Sequence, residues 1–459
     1  LHSTVQHGAL WGLERPDDRP NIPVFHYSGA VSPGKMGFDK SLKLALPMRA
    51  VYHHFMAKTH AAKRLWFNLA ARGLTSLRQK LPTLLSGKGS LKLIPSELEV
   101  QKASNPLIVT DATLIRAGLV FRLTALLSES AIPVAIGDGV LPDPSFEVCE
   151  HGLAVLKDNA CDSVIALGGG SVIDVAKIIR MAATHKKPVS AFRGLLPCRN
   201  SGLPLICVPT TAGTGGEATA MAVITDQKQH RKINILDPRL APDSAILDPE
   251  LVVGLPPGMT AQTGMAALAL AVEAYTNSLH YSDVEMQALE AVRLVFANLR
   301  RAYARGDDLE AREAMLRASH LAGRAFSRGF VGYTHAVAHR FCERYRVPHG
   351  LANAITLPYF MDLYRKAVPE RLADLAAAAG LRSRGADEDM EEPAAAFVEA
   401  LRRLNEDIGI PGKAGFLKRE DVPGIAAAAL KEAHGTPYPL PMILDVPDLE
   451  AVIVSMCPD

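Results

Sequence analysis

The stretch Leu167-Gly-Gly-Gly-Ser-Val-Ile-Asp-Val-Ala-Lys177 decides the reading of this chain. An apolar run, Ser163-Val-Ile-Ala-Leu167, precedes it and reads as a buried parallel strand. Three glycines, Gly168, Gly169 and Gly170, follow, then Ser171. From Val172 the apolar spacing is helical, with Asp174 inside the first turns. A strand, a glycine turn and a helix start together make an anion site. Bare backbone lets a pyrophosphate approach, and the helix N-terminus offers free N–H groups and a positive dipole end. Such a turn standing alone is also compatible with a tight corner and nothing more.

A second loop has the same placement. Leu205-Ile-Cys-Val208 reads as another buried strand, and Pro209-Thr-Thr-Ala-Gly-Thr-Gly-Gly-Glu-Ala-Thr219 follows it. Thr210, Thr211 and Thr214 put hydroxyls at a second strand end. Pro106–Thr110 reads as a strand running into Asp111, and Pro133–Ile136 as one running towards Asp138. Phe146–Asn159 reads as a helix. Strands alternating with helices predict a parallel, doubly wound α/β sheet, whose ligands bind beyond the strand C-termini.

Beyond Pro249–Pro257 the texture changes. Val284–Ala304, Leu309–Phe326 and Val331–Phe341 all have helical apolar spacing. The expected division is a lead over residues 1–83, an α/β dinucleotide domain over 84–253 and an all-helical domain over 254–459. At 459 residues that is consistent with roughly 150 residues per domain. Ser383–Glu392 reads as a surface loop.

Composition narrows the function classes. The formal net charge is +2, so bulk charge does not point to nucleic acid. Cys149, Cys161, Cys198, Cys207, Cys342 and Cys457 form no C-x-x-C pair, which argues against a zinc ribbon and a disulfide framework. Reduced thiols fit a cytoplasmic location. No apolar run reaches the roughly 18 residues of a membrane span. No secretory signal is visible, and a start at Leu1 rather than methionine leaves a removed leader open.

The lead itself is unusual. Residues 1–39 read as an irregular arm. From Lys40 to Ser96 there is no Asp or Glu, and Met48–Leu81 has helical spacing with Arg49, Lys58, Lys63, Arg64, Arg72, Arg78 and Lys80 between the apolar positions. Two readings stand for 40–81: peripheral contact with an anionic membrane surface, or packing on the body or on another subunit.

The two loops together resemble the iron-containing (group III) alcohol dehydrogenase family, relatives of dehydroquinate synthase, from about Leu84 to the C-terminus. Leu84–Ser90 looks like that family's opening glycine turn. The resemblance implies NAD(H) held by Asp111, Asp138, Gly168–Ser171, Asp174, Thr210, Thr211, Thr214 and Lys232. At Asp111 a carboxylate bonds both ribose hydroxyls and repels a 2′-phosphate, favouring NAD over NADP; the plainer reading is a helix cap. Lys232 matches a lysine near the nicotinamide half, with a solvated strand residue as the plainer reading.

The family also implies a divalent metal, iron or zinc, bound by one Asp and three His. Its helix motif G-M-D-A-L-T-H-A-x-E-A-Y stands here as Gly264-Met-Ala-Ala-Leu-Ala-Leu-Ala-Val-Glu-Ala-Tyr275. Ala266 takes the place of the Asp and Leu270 that of the first His. Neither donates a lone pair. Glu273 is no substitute, because active members carry a Glu there too. His335-Ala-Val-Ala-His339 and Pro348-His349-Gly survive. By resemblance His335 and His349 are remnant metal positions, and His339 lies near substrate and nicotinamide.

The implied activity is hydride transfer between nicotinamide and an aliphatic alcohol or aldehyde, with catalysis resting on His339 and His335 and with the metal site impaired. A homodimer is expected. The alternatives are a catalytically silent NAD-binding structural or regulatory homologue and an engineered inactive variant.

Overall fold

A computed structural model describes residues 24–25, 60–76, 80–227, 231–381, 390–436 and 438–458. The strands are β1 (Val24–Phe25), β2 (Thr83–Ser86), β3 (Pro106–Val109), β4 (Ala135–Gly137), β5 (Ser163–Gly168), β6 (Gly194–Leu195), β7 (Leu205–Pro209), β8 (Met221–Asp226), β9 (Arg231–Leu236) and β10 (Ser244–Leu247). The main sheet has the order β1-β2-β10-β7-β5-β3-β4. All of its neighbours pair in parallel except β1, which runs antiparallel to β2.

Every residue of β5 is buried, and its side chains alternate between two cores. Val164 and Ala166 pack with Cys149, Leu153, Val175 and Ile179 on one face. Ile165 and Leu167 pack with Ile94, Leu98, Leu123 and Leu127 on the other. Helices thus cover both faces, which explains why the strand reads as one continuous apolar run. A smaller sheet, β6-β9-β8, flanks the first.

From Pro257 the described elements are helical. Pro257–Thr276 is apolar all round and buried over most of its length, so it forms the centre of a helical core rather than its surface. Two glycines permit the close crossings. A Cβ on Gly264 would lie 2.4 Å from Leu299, and one on Gly350 2.2 Å from the Gln262 carbonyl oxygen. The second crossing sets the helix His349–Tyr364 against Pro257–Thr276 one turn before Ala266.

The lead is described in part. Its helix covers His60–Thr75, and Phe67 and Ala71 join the helical core. Asn68 accepts from the Ser278 hydroxyl at 2.6 Å, and the Thr75 and Tyr281 hydroxyls are 2.9 Å apart. The rest of the expected helix before His60, and the arm apart from β1, lie outside the described residues. So does most of the Ser383–Glu392 loop. Its end differs from expectation: Glu391 and Glu392 open the helix Glu391–Asp407, where acidic side chains favour the positive dipole end.

Candidate active site

β5 delivers its glycines straight into the helix Gly170–Thr184. The N-cap Gly169 is extended, with φ −78° and ψ −172°, and no side chain caps the first turn. Those backbone N–H groups are therefore available to an anion. Thr210 N donates to the Gly168 carbonyl oxygen at 3.1 Å, closing the second loop onto the first. A Cβ on Gly169 would lie 3.3 Å from Thr211 Oγ1, and one on Gly170 2.8 Å from Thr214 Oγ1. The two loops fit because the first has no side chains.

Lys177 fixes that arrangement, a role the sequence did not reveal. It is fully buried two turns into the helix. Its Nζ donates to Gly216 O at 2.7 Å, Thr219 Oγ1 at 2.9 Å and Met221 O at 2.8 Å. Burial lowers its pKa, against the pull of Asp174. Asp174 in turn accepts from Val223 N at 3.0 Å, and burial raises its carboxyl to about 6 despite Lys177 and Lys232. Beyond the loop, Gly215 has φ 58°, and a Cβ there would be 2.4 Å from Ser319 O. Only a glycine lets the loop touch the helical part at this point.

The outer strand ends carry Asp111 and Asp138. Asp111 Oδ1 accepts from Thr113 N at 2.8 Å and Leu114 N at 3.1 Å, so it caps the short helix Ala112–Arg116. Oδ2 makes no hydrogen bond among the described residues, which leaves capping and ligand binding compatible. Asp138 is exposed just past β4. Lys232, on β9, is paired with Asp143 at 2.8 Å. Its charge bears on Asp174 on one side and on Cys342 and His349 on the other, so it stands between the loops and the histidines.

The three histidines converge. Ring centroids are 5.5 Å apart for His335 and His349, 5.2 Å for His339 and His349, and 6.2 Å for His335 and His339. Glu273 is fully buried. It accepts from Thr334 N at 2.8 Å and is bound to His335 Nδ1 at 2.5 Å, so its oxygens are committed. His349 Nε2 lies 3.0 Å from Asn353 Nδ2, and its Nδ1 faces Cys342 Sγ at 3.9 Å. Burial, then the neighbouring imidazoles, hold His349 well below the usual histidine range. His339 Nδ1 meets Glu432 Oε1 at 2.6 Å. Sequence reasoning missed Glu432, which has no local spacing to betray it.

This donor set does not fit the family's metal. Ala266 and Leu270 are buried apolar side chains, Glu273 is occupied, and both His349 nitrogens face protein groups. Among the described residues no group of three or more His, Cys, Asp or Glu side chains is placed to hold a metal ion. The nicotinamide side does fit: an uncapped helix start stands behind bare glycine backbone. A cavity of about 420 Å³ lined by Thr75, Asp283, Arg328 and Phe330 shares no residue with either set.

Two family models match, "Iron-containing alcohol dehydrogenase" over residues 82–249 and the C-terminal model of the "Fe-containing alcohol dehydrogenase family" over 260–450. The chain is 38% identical over 358 residues to the 1,3-propanediol dehydrogenase of Klebsiella pneumoniae, covering 77% of this chain and 92% of that one. It is 34% identical over 350 residues to the lactaldehyde reductase of Escherichia coli K12, covering 75% and 91%. Among solved structures, a 1,3-propanediol oxidoreductase superposes with a TM-score of 0.79 at 35% identity, over 83% of this chain and 99% of that one. A sulfoacetaldehyde reductase from Bifidobacterium kashiwanohense in complex with NAD+ gives 0.75 at 28% identity, over 83% and 97%. With the strand-end loops and the helical half both matched, the chain belongs to the iron-containing alcohol dehydrogenase family.

Proposed function

We propose that this chain is an NAD(H)-dependent oxidoreductase acting on small aliphatic alcohols or aldehydes. The observation that carries the reading is the bare turn Gly168–Gly170, pressed on Thr211 and Thr214 and opening an uncapped helix. Gly169, Gly170 and Ser171 hold the pyrophosphate, with Thr210, Thr211 and Thr214 across from them. Asp111 Oδ2 takes the ribose hydroxyls, Asp138 lies on the same rim, and Lys232 with Asp174 supports the nicotinamide side. The enzyme names borne by the relatives favour catalysis over a silent binding role.

Bound at the glycine turn, NAD+ would take the hydride, with both electrons of the carbinol C–H bond, and NADH would return it to the carbonyl carbon in reduction. In alcohol oxidation the O–H proton passes to His339 Nε2, and the C=O bond forms; reduction runs in reverse. His335 and His349 line the same cleft. No step is assigned to a metal. We read the chain as 1–83 lead, 84–253 dinucleotide part and 254–459 helical part, working as a cytoplasmic homodimer. The burial of Phe67 and Ala71 supports packing over membrane contact for the lead. No helix among the described residues is long and apolar enough to cross a membrane.

The test is calorimetric titration with NADH, followed by turnover of 1,3-propanediol and of lactaldehyde. Saturable NADH binding with turnover of either compound is expected. Absence of NADH binding overturns the reading.

A further inference from the structure

Glu432 meets one imidazole, His339, by a single ring nitrogen. Its Oε1 lies 2.6 Å from His339 Nδ1, across 93 positions of sequence. The same oxygen accepts from the Tyr438 hydroxyl at 3.1 Å, and Oε2 accepts from Arg340 Nη2 at 2.7 Å. An ionised carboxylate only accepts hydrogen bonds, so the nitrogen facing it must carry the proton. In a neutral imidazole that leaves the lone pair on Nε2. Burial pushes Glu432 upward, but the charge of a protonated His339, its hydrogen bond, Arg340 and Tyr438 hold it below the ordinary carboxylate range. With His339 neutral the same three donors still point at the carboxylate, so it stays an acceptor.

The ring plane is fixed as well. His339 stacks on His349 with 21° between the rings. Its Nε2 makes no hydrogen bond among the described residues. One nitrogen is clamped, one face is covered, and the other nitrogen is left open. His335 is held by Glu273 in the same manner, but it is more deeply buried, at 4% exposure against 16% for His339.

We propose that Glu432 is the positioning residue of this site: it sets the tautomer and orientation of His339 so that Nε2 meets the reacting oxygen. This rests on the oxidoreductase reading: with its lone pair on Nε2, the clamped imidazole takes the alcohol proton at a site where Ala266 and Leu270 offer a metal no ligand. Tyr438 and Arg340 hold the carboxylate in turn.

The test uses the full chain with ¹⁵N-histidine labelling, together with Glu432→Ala and Glu432→Gln. Wild type should show His339 locked with its proton on Nδ1, as His335 is by Glu273, and Glu432→Ala should lose the His339 signature while keeping that of His335. Its kcat should fall roughly tenfold or more, with KM and the NADH Kd within about twofold, because the loss falls on the reacting state. Glu432→Asp should recover part of the rate. Glu432→Gln keeps the shape and serves if the alanine variant does not fold. An unchanged tautomer, wild-type kcat in a folded variant, or failure of both variants to fold overturns the proposal. Wild type that binds NADH but turns nothing over sinks the proposed function, and the tautomer result still decides whether Glu432 positions His339.

Discussion

The Lys177 ammonium donates to the Gly216 carbonyl oxygen at 2.7 Å, tying the helix of the glycine turn to the far end of the threonine loop. The bond is one of three, and the cation is fully buried. Lys177→Met keeps the stem and removes every donor. Each acceptor left without a partner costs about 1–3 kcal/mol. The variant should melt well below wild type and bind NADH more weakly, because the loop is no longer pinned. A melting temperature within a degree of wild type would show that the loop holds itself.

Asp111 caps a helix through Oδ1, and the ribose role proposed for its second oxygen can be separated from the cap. An Asn caps about as well as an Asp. Asp111→Asn should therefore keep its melting temperature but lose part of the preference for NADH over NADPH. Asp111→Ala should lose both, with about 1 kcal/mol of stability gone with the cap. Equal affinity of wild type for the two dinucleotides, measured by fluorescence titration, would remove the ribose role.

The strands β3, β5 and β7 were legible because each is buried and apolar on both faces and runs into glycine or threonine. What the sequence did not show depends on distance. Lys177 sits in an ordinary helical pattern, and only the fold brings Gly216, Thr219 and Met221 to it. Glu432 reaches His339 across the helical domain, and no periodicity records such a pair. Glu391 and Glu392 read as loop because a charged run looks alike before a helix and in its first turn.

His434 gives the fold a pH dependence. It is buried, lies 3.1 Å from the Tyr333 hydroxyl and 5.3 Å from the Phe67 ring. Burial, with help from Lys63 and His60, lowers its pKa from 6.5 to about 4. The unfolded chain therefore binds more protons between those values, and stability rises with pH across that window. The loss on acidification from pH 6.5 to 4 should be on the order of 3 kcal/mol from this group. His434→Phe should flatten that part of the urea-unfolding profile. An unchanged slope would place the acid sensitivity elsewhere.

The lead helix offers a direct contrast. Phe67 is buried in the helical core, whereas Leu65 and Leu69 are each 57% exposed. Phe67→Ala should cost about 3–5 kcal/mol, as for other aromatic truncations in cores. A Leu65→Ser, Leu69→Ser double variant should leave the melting temperature unchanged. If that double variant instead abolishes sedimentation of the full chain with anionic vesicles at low salt, the outer face is a membrane contact and packing is only half its role.

We propose that Ala266 and Leu270 stand at the family's Asp and His ligand positions, which can be tested by refilling them. Ala266 and Leu270 lie one turn apart on a buried helix, so their side chains point to the same side. Ala266→Asp with Leu270→His would bring one carboxylate and three imidazoles into the family's pattern, a set suited to Fe²⁺ or Zn²⁺ with a position left open. Glu273 already holds His335 by Nδ1, as carboxylates that orient metal-binding histidines do. His349 would have to leave Asn353, which sets a cost against binding. Without metal each new buried polar group should destabilise the fold by about 1–3 kcal/mol. With metal at a hundred times its Kd, about 2.7 kcal/mol should return. Wild type should show no metal-dependent change in melting temperature, and the double variant a clear rise on adding Zn²⁺. Stoichiometric metal in the purified wild-type chain, measured by mass spectrometry, would show that the cleft finds ligands other than those assigned here.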